Sequence, residues 1–142
     1  MSTRNLDLVS ATIVVLSHLL RTRAVSPVDL VTATLERIVA LQPRLLCFTT
    51  VTPEYALQRA RDAEREIAAG QYRGPLHGIP YTLKDVIATR GIRTTFGNPQ
   101  GVDYRPPENA TVQTLLEAAG GILVGKVVSE IGRGSNRPGG VP

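Results

Sequence analysis

The spacing of apolar positions predicts four helices and three short strands. In four segments the apolar residues recur three and four positions apart, which places them on one face of a helix. These segments run over Val9–Arg21, Ser26–Leu41, Thr52–Gly70 and Asn109–Ala119. Shorter apolar runs predict strands at Leu45–Val51, Tyr81–Leu83 and Ile122–Val124. Because helices alternate with short apolar strands, the pattern predicts an α/β fold built in layers.

The second helix has the clearest start signal. Ser26 is a suitable N-cap, and Pro27 fits the first helical position, where a missing N–H costs nothing. Asp29 follows three residues after the cap, where its carboxylate can complete a capping box. The apolar side chains that follow share one face, which must pack on another element: Leu30, Val31, Leu35, Ile38 and Leu41.

The third and fourth helices differ in the size of their apolar side chains. The third has a narrow stripe that predicts close packing, and Gly70 follows as a left-handed stop. That stripe consists of Ala56, Ala60, Ala63 and Ile67. For the fourth helix we predict Asn109 as the cap and Gly120 as the end. Its predicted inward residues are Val112, Leu115, Leu116 and Ala119.

Length and charge narrow the classes of function. The chain has 142 residues, which is one domain or part of one, and a formal net charge of +4. Among its 16 basic residues only Lys84 and Lys126 are lysines, and the arginines are scattered along the sequence. No block or arm of positive charge is available to follow a phosphate backbone. We therefore expect no nucleic-acid partner.

The N-terminal region and the single cysteine predict a cytoplasmic protein. Cys47 has no second cysteine for an internal disulfide and no partners for a structural zinc site, so we expect a buried thiol among apolar neighbours. The apolar stretch Leu8–Leu20 contains several polar residues and lacks a cleavage signal. It is also too short to span a bilayer, so we expect no membrane association.

One segment has the residue spacing of a phosphate loop but lacks the hydroxyl that a phosphate loop needs. Gly120 to Lys126 has the form G-x-x-x-x-G-K, but Val127 stands where a magnesium-binding hydroxyl is needed. The interior, Ile122–Val124, is itself an apolar strand rather than a flexible cradle of N–H groups. The better interpretation is a strand that leads into a Gly-Lys turn.

Lys84 and Asp85 place two charges at the end of a predicted strand. If Lys84 lies on the floor of a cleft, burial would favour its neutral amine, which can act as a base. The alternative is a lysine that leaves the sheet edge for water. Asp85 can hold a loop by accepting from backbone N–H groups, or simply start a turn. His77, in a Gly/Pro-rich loop, is more typical of a packed histidine than of a base.

The segment from Gly74 to Asp85 reads Gly-Pro-Leu-His-Gly-Ile-Pro-Tyr-Thr-Leu-Lys-Asp, and Thr94-Thr95-Phe96-Gly97 follows it. These residues around Lys84 resemble the amidase signature family. The similarity extends over about Leu8 to Glu130, including the apolar strand that ends in Gly-Lys. It implies the N-terminal part of the amidase signature fold, with helices around a mixed sheet, in an incomplete form.

This resemblance implies a hydrolase of carboxamides that works through a Ser, cis-Ser, Lys triad, without a metal or an organic cofactor. Lys84 is then the catalytic lysine, the bridging serine its proton donor, and a small-molecule amide the substrate of the complete enzyme. Backbone N–H groups would hold the oxyanion.

The family's Gly/Ser-rich serine signature is not found in this sequence. Ser129 and Ser135 are the only serines after Lys84, and neither lies in a comparable run, so no nucleophile is assigned. We therefore expect residues 1–131 to form the N-terminal portion of an amidase-type domain and residues 132–142 an irregular Gly/Pro-rich tail. Such a truncated chain would be inactive alone. The alternative is a noncatalytic interaction or structural module that self-associates through exposed apolar edges.

Overall fold

A computed structural model of the protein describes residues 7–97 and 103–128. These residues form four helices, α1 (Ile13–Arg21), α2 (Pro27–Leu45), α3 (Pro53–Ala68) and α4 (Thr111–Ala118). Their three strands are β1 (Phe48–Val51), β2 (Pro80–Lys84) and β3 (Ile122–Val127). The predicted α/β class is confirmed. The predicted tail, 132–142, lies outside the described residues.

The sheet is mixed and has β3 at its centre. The strand order is β1-β3-β2, with β1 antiparallel and β2 parallel to β3. In the parallel pair Leu83 stands beside Lys126 and Lys84 beside Val127. The carboxyl ends of β2 and β3 therefore lie side by side, and the residues that follow β2 start at this edge.

The start of α2 follows the predicted capping chemistry in part. The hydroxyl of Ser26 accepts a hydrogen bond from the Val28 N–H at 2.9 Å, and Pro27 is the first helical residue. The hydroxyl donates to the carboxylate of Glu64 on α3, so it joins two helices. The predicted capping box is wrong, since the Asp29 carboxylate accepts no hydrogen bond from the Ser26 N–H in the described structure.

The largest core cluster lies between α2, α3 and β3. The alanine stripe of α3 is buried as predicted, and its small side chains let the helix approach the sheet and α2 closely. Of the predicted α2 face, only Leu41 is not fully buried. The α2 and β3 residues in this cluster are Val31, Leu35, Ile38, Ile122 and Val124.

The predicted cap of α4 is wrong, and its predicted inward face is correct only in part, since Leu116 packs against Leu83 and Leu123. Asn109 uses its side chain elsewhere: its carbonyl oxygen accepts from the Arg90 N–H at 2.7 Å, and its amide donates to the Glu117 carboxylate at 2.9 Å. The helix instead starts after Ala110. Its most buried residue is Gln113, whereas the side chains of Val112 and Leu115 are exposed.

A hydrogen bond between β2 and α4 explains this orientation of α4. The Tyr81 hydroxyl on β2 donates to the Gln113 side-chain oxygen at 2.7 Å. A polar residue therefore points toward the sheet, and the apolar Val112 and Leu115 are turned outward.

Cys47 is only half-buried, which contradicts the prediction of a core thiol. The helix α2 continues through Pro43 to Leu45 and ends at Leu46 in a left-handed conformation with φ 48°. The chain turns at the surface there, so Leu45 and Leu46 are exposed and β1 begins only at Phe48. No helix within residues 7–97 and 103–128 is both long and apolar enough to cross a membrane.

Candidate active site

Lys84 is the last residue of β2, at the sheet edge predicted for it. The backbone on both sides is held: the Asp85 N–H donates to the Val127 carbonyl at 2.9 Å, and the Lys84 carbonyl accepts from the Ile87 N–H at 3.0 Å. The Lys84 side chain is exposed, as expected for a lysine that leaves the sheet edge. No hydrogen bond or ion pair joins its ammonium to another described residue. Its catalytic role stays a prediction.

Asp85 holds the loop that follows Lys84, which confirms the first of the two roles considered for it. Its carboxylate is fully buried and accepts from the Thr95 N–H at 3.2 Å and from the Thr95 hydroxyl. Its carbonyl accepts from the Phe96 N–H at 3.0 Å. Residues 85 and 95 are thus joined, and the chain between them forms a closed loop at the end of β2.

Lys126 lies inside this loop and is fully buried. Its ammonium donates to the Ile87 carbonyl at 2.6 Å, to the Thr94 hydroxyl at 2.9 Å and to the Thr89 hydroxyl at 3.1 Å. The strand β3 continues through Lys126, so the predicted Gly-Lys turn is wrong. The strand can include the lysine because three acceptors replace the water that its charge loses.

Burial lowers the pKa of Lys126 from 10.5 to about 8, although the negative charge of Asp85 acts in the opposite direction. A pKa of about 8 leaves the amine mostly protonated at neutral pH. The loop after Lys84 therefore encloses one buried cation and one buried carboxylate, each held by hydrogen bonds.

His77 is a packed loop histidine at the other end of β2. Its ring is buried, its Nδ1 accepts from the Arg73 N–H at 3.1 Å, and its Nε2 lies 3.0 Å from a Glu66 carboxylate oxygen. Burial lowers its pKa, so the ring is neutral at pH 7 and Nε2 is its donor. Because it precedes β2 and Lys84 ends it, the structure does not bring the two residues together.

Sequence reasoning missed the network around Lys126. A lysine inside an apolar strand is itself a signal, because a buried ammonium needs three acceptors nearby. The hydroxyls that meet it, Thr89 and Thr94, lie more than thirty positions earlier in the chain, and spacing alone cannot locate them. Among the described residues no cluster of three or more His, Cys, Asp or Glu could hold a metal ion.

Comparison with known proteins places this site in a family. A family model described as Amidase matches residues 29–136. A glutamyl-tRNA(Gln) amidotransferase subunit from Dehalococcoides mccartyi is 44% identical over 131 residues, which are 92% of this chain and 27% of that protein. The protein of the same name from Chloroflexus aurantiacus is 46% identical over 103 residues, 72% of this chain and 21% of its own length.

Solved structures agree with this assignment. The peptide amidase from Stenotrophomonas maltophilia superposes with a TM-score of 0.79 at 31% identity, over 85% of this chain and 25% of that enzyme. A fatty acid amide hydrolase shares the fold, with a TM-score of 0.81 at 19% identity. The chain thus spans about a quarter of the length of these relatives. The family match over residues 29–136, with this agreement in fold, shows that the chain belongs to the amidase family.

Proposed function

We propose that this chain supplies the lysine-bearing part of an amidase, and that Lys84 is its catalytic base. The observation that carries the proposal is the environment of Lys84. It ends a strand, its backbone is held on both sides, and its exposed ammonium is not engaged by another described residue. A general base needs a backbone that is held in place and a side-chain group that is available to take a proton, and among the described residues Lys84 has both.

The proposed reaction cleaves the C–N bond of a carboxamide. The neutral amine of Lys84 takes a proton from a bridging serine, which takes one from the nucleophilic serine. The nucleophile's oxygen attacks the carbonyl carbon, the C–N bond breaks, and the leaving amine receives a proton. Water then hydrolyses the acyl-enzyme. Neither serine is assigned to a residue of this chain, because Ser129 and Ser135, the only serines after Lys84, do not lie in a Gly/Ser-rich run.

The substrate class in this proposal is a small-molecule amide, and no metal or organic cofactor takes part. Support comes from the relatives, whose names describe an amidase, a peptide amidase and part of an amidotransferase. We expect the 142-residue chain by itself not to hydrolyse amides, because nothing in its described part gives Lys84 a serine to deprotonate. Turnover of a simple amide by the chain alone, abolished by Lys84→Ala, would overturn this expectation.

A chimeric enzyme tests the role of Lys84. Residues 7–128 of this chain would replace the matching quarter of the Stenotrophomonas peptide amidase, which is 31% identical to it. We expect the chimera to hydrolyse peptide amides, and Lys84→Met to lower kcat by about 10²–10⁴-fold, the usual contribution of a general base. Arg90→Met is the matched control, since it removes an exposed cation from the same loop. A folded Lys84→Met chimera with an unchanged kcat would refute the proposal.

Exposed apolar side chains favour a second candidate, a noncatalytic module that self-associates. Val14 on α1 is 81% exposed, and Val39 on α2 is 71% exposed. Val39 lines a mostly apolar surface pocket with Ala40 and Leu57, and apolar surfaces of this kind are typical of sites that bind another protein. Sedimentation velocity distinguishes the candidates: the module predicts a concentration-dependent dimer or larger species that Val14→Asp or Val39→Asp weakens. A monomer at all concentrations would count against it.

A further inference from the structure

We propose that Lys126 positions Lys84. In this inference the buried ammonium of Lys126 clamps the loop that begins at Lys84 onto β3, and thereby fixes the direction in which Lys84 leaves the sheet. The inference rests on the proposed catalytic role of Lys84 and assigns a positioning residue to the same site.

The three hydrogen bonds of Lys126 join both halves of the loop. Ile87 and Thr89, in the first half, provide acceptors at 2.6 Å and 3.1 Å. Thr94, in the second half, provides the third at 2.9 Å. An ammonium has three N–H groups, so the loop satisfies all of them. One charged group therefore holds together residues that are seven positions apart.

The hydroxyl groups are oriented to receive this cation. The Thr89 hydroxyl donates to the Ile87 carbonyl at 3.2 Å, and the Thr94 hydroxyl donates to the Ile92 carbonyl at 3.1 Å. Each hydroxyl has thus committed its hydrogen and turns a lone pair toward Lys126. Such a network has one arrangement that satisfies every group, which is what positioning requires.

The strand register connects this clamp to Lys84. Lys126 pairs with Leu83, and Val127 pairs with Lys84 and accepts from the Asp85 N–H. The strand that carries the clamp therefore also holds the residues immediately before and after Lys84. A displacement of about 1 Å in a catalytic group can lower the reaction rate about 10²-fold. A loop that holds Lys84 in place therefore favours its action as a base.

Filling the core does not by itself account for a lysine at this position. An apolar side chain of similar length would avoid the desolvation of a charge, and replacing buried ionic groups by apolar ones is often neutral or stabilising. What the ammonium adds is a set of directed bonds to one loop. Lys126→Met keeps an unbranched apolar side chain of nearly the same length and removes the charge with its directed bonds, so it separates the two roles.

Amide hydrogen exchange in the 142-residue chain tests the clamp directly. Four loop N–H groups that report on it are hydrogen-bonded in the structure: Ile87, Ile92, Thr94 and Thr95. In Lys126→Met we expect their protection to fall about tenfold or more relative to the amides of α3. Val124→Ala is the matched control, because Val124 is a buried β3 residue that packs against α2 and α3 instead of the loop. It should lower protection throughout, without singling out the loop.

A second variant keeps the proposal falsifiable if Lys126→Met does not fold. The double substitution Thr89→Val and Thr94→Val removes two acceptors and leaves Lys126 in place. We expect the double substitution to lower the exchange protection of the same four amides. Equal loss of protection in loop and helix, in whichever variant folds, would show a role in stability alone and overturn the inference.

The chimera separates failure of this inference from failure of the proposed function. We expect Lys126→Met to lower kcat by about 10- to 100-fold with KM changed by less than about twofold, as for a misplaced base. If Lys84→Met is inactive while Lys126→Met keeps full kcat, positioning is refuted and the proposed function stands. If Lys84→Met is active, the proposed function fails, and the exchange result still reports whether Lys126 clamps the loop.

Discussion

Raising the pH should stabilise this protein through the buried amine of Lys126. Its pKa is about 8 in the folded chain against an ordinary value of 10.5. Between these values the unfolded chain binds the proton and the folded chain does not, so the free energy of unfolding rises with pH. At about 1.4 kcal/mol per pH unit, the difference between the two pKa values gives an upper limit of about 3.5 kcal/mol by pH 10.5.

The pKa values of two half-buried tyrosines, Tyr55 and Tyr81, set the upper end of the pH range in which stability rises. Burial raises the pKa of Tyr81 to about 12, and burial with a hydrogen bond to Glu117 raises the pKa of Tyr55 above its ordinary value. Above about pH 10 the unfolded chain loses these protons while the folded chain keeps them. Stability should therefore rise from pH 8, pass through a maximum near pH 10, and then fall.

Urea denaturation followed by circular dichroism measures this profile. Free energies of unfolding at half-unit steps from about pH 7 to 10 would be compared between the wild type and Lys126→Met. We expect the difference between the two proteins to change by about 1–3 kcal/mol over this range. Lys84→Met, which removes the exposed lysine, is the control and should follow the wild type. Parallel curves for the wild type and Lys126→Met would refute the reasoning.

Two further predictions concern backbone and side-chain contacts near the sheet. Gly120 and Gly70 each follow a helix, and both have φ near +80°. A Cβ on Gly120 would lie 2.9 Å from Cγ of the buried His77, whereas a Cβ on Gly70 would meet no atom within 4 Å. In urea denaturation Gly120→Ala should therefore cost about 1–3 kcal/mol more than Gly70→Ala, and equal costs would contradict the packing described. Thr95→Val removes the hydroxyl that donates to buried Asp85 and should cost about 1–3 kcal/mol; a change below about 0.5 kcal/mol would contradict that bond.

Local signals in the sequence were sufficient for several elements of the fold. The N-cap at Ser26, the buried alanine face of α3 and the left-handed stop at Gly70 all depend on residues within a few positions of one another. The apolar run that became β3 was also recognised, because a central strand is buried on both faces.

The predictions for α4 that are wrong depend on contacts with residues outside that helix. The orientation of α4 depends on the bond between Tyr81 and Gln113, which lie 32 positions apart, and helical periodicity contains no information about it. The predicted cap is wrong because the Asn109 side chain bonds the Arg90 backbone and the Glu117 side chain instead of the first N–H groups of α4.

In the candidate site, too, residues marked by local signals could be predicted and those that depend on distant contacts could not. Lys84 could be singled out because strand end, charge and family motif coincide at one position. The sequence also marked Asp85 as a loop holder, but its partner Thr95 became clear only in three dimensions. Lys126 was interpreted as a residue of a turn, because its acceptors come from a loop about forty positions earlier. An inner network of this kind is assembled by the sheet register and is not visible in local spacing.

Rescue by a soluble amine tests most directly whether Lys84 acts as a base. In the chimera, Lys84→Ala should lower the rate of product release by about 10²–10⁴-fold, and added ethylamine should restore part of it in proportion to the concentration of the unprotonated amine. Arg90→Ala, the control, should keep its rate and show no response to the amine. Our account is contradicted if the folded Lys84→Ala chimera keeps the rate of the unsubstituted chimera, or if its rate does not depend on the free amine.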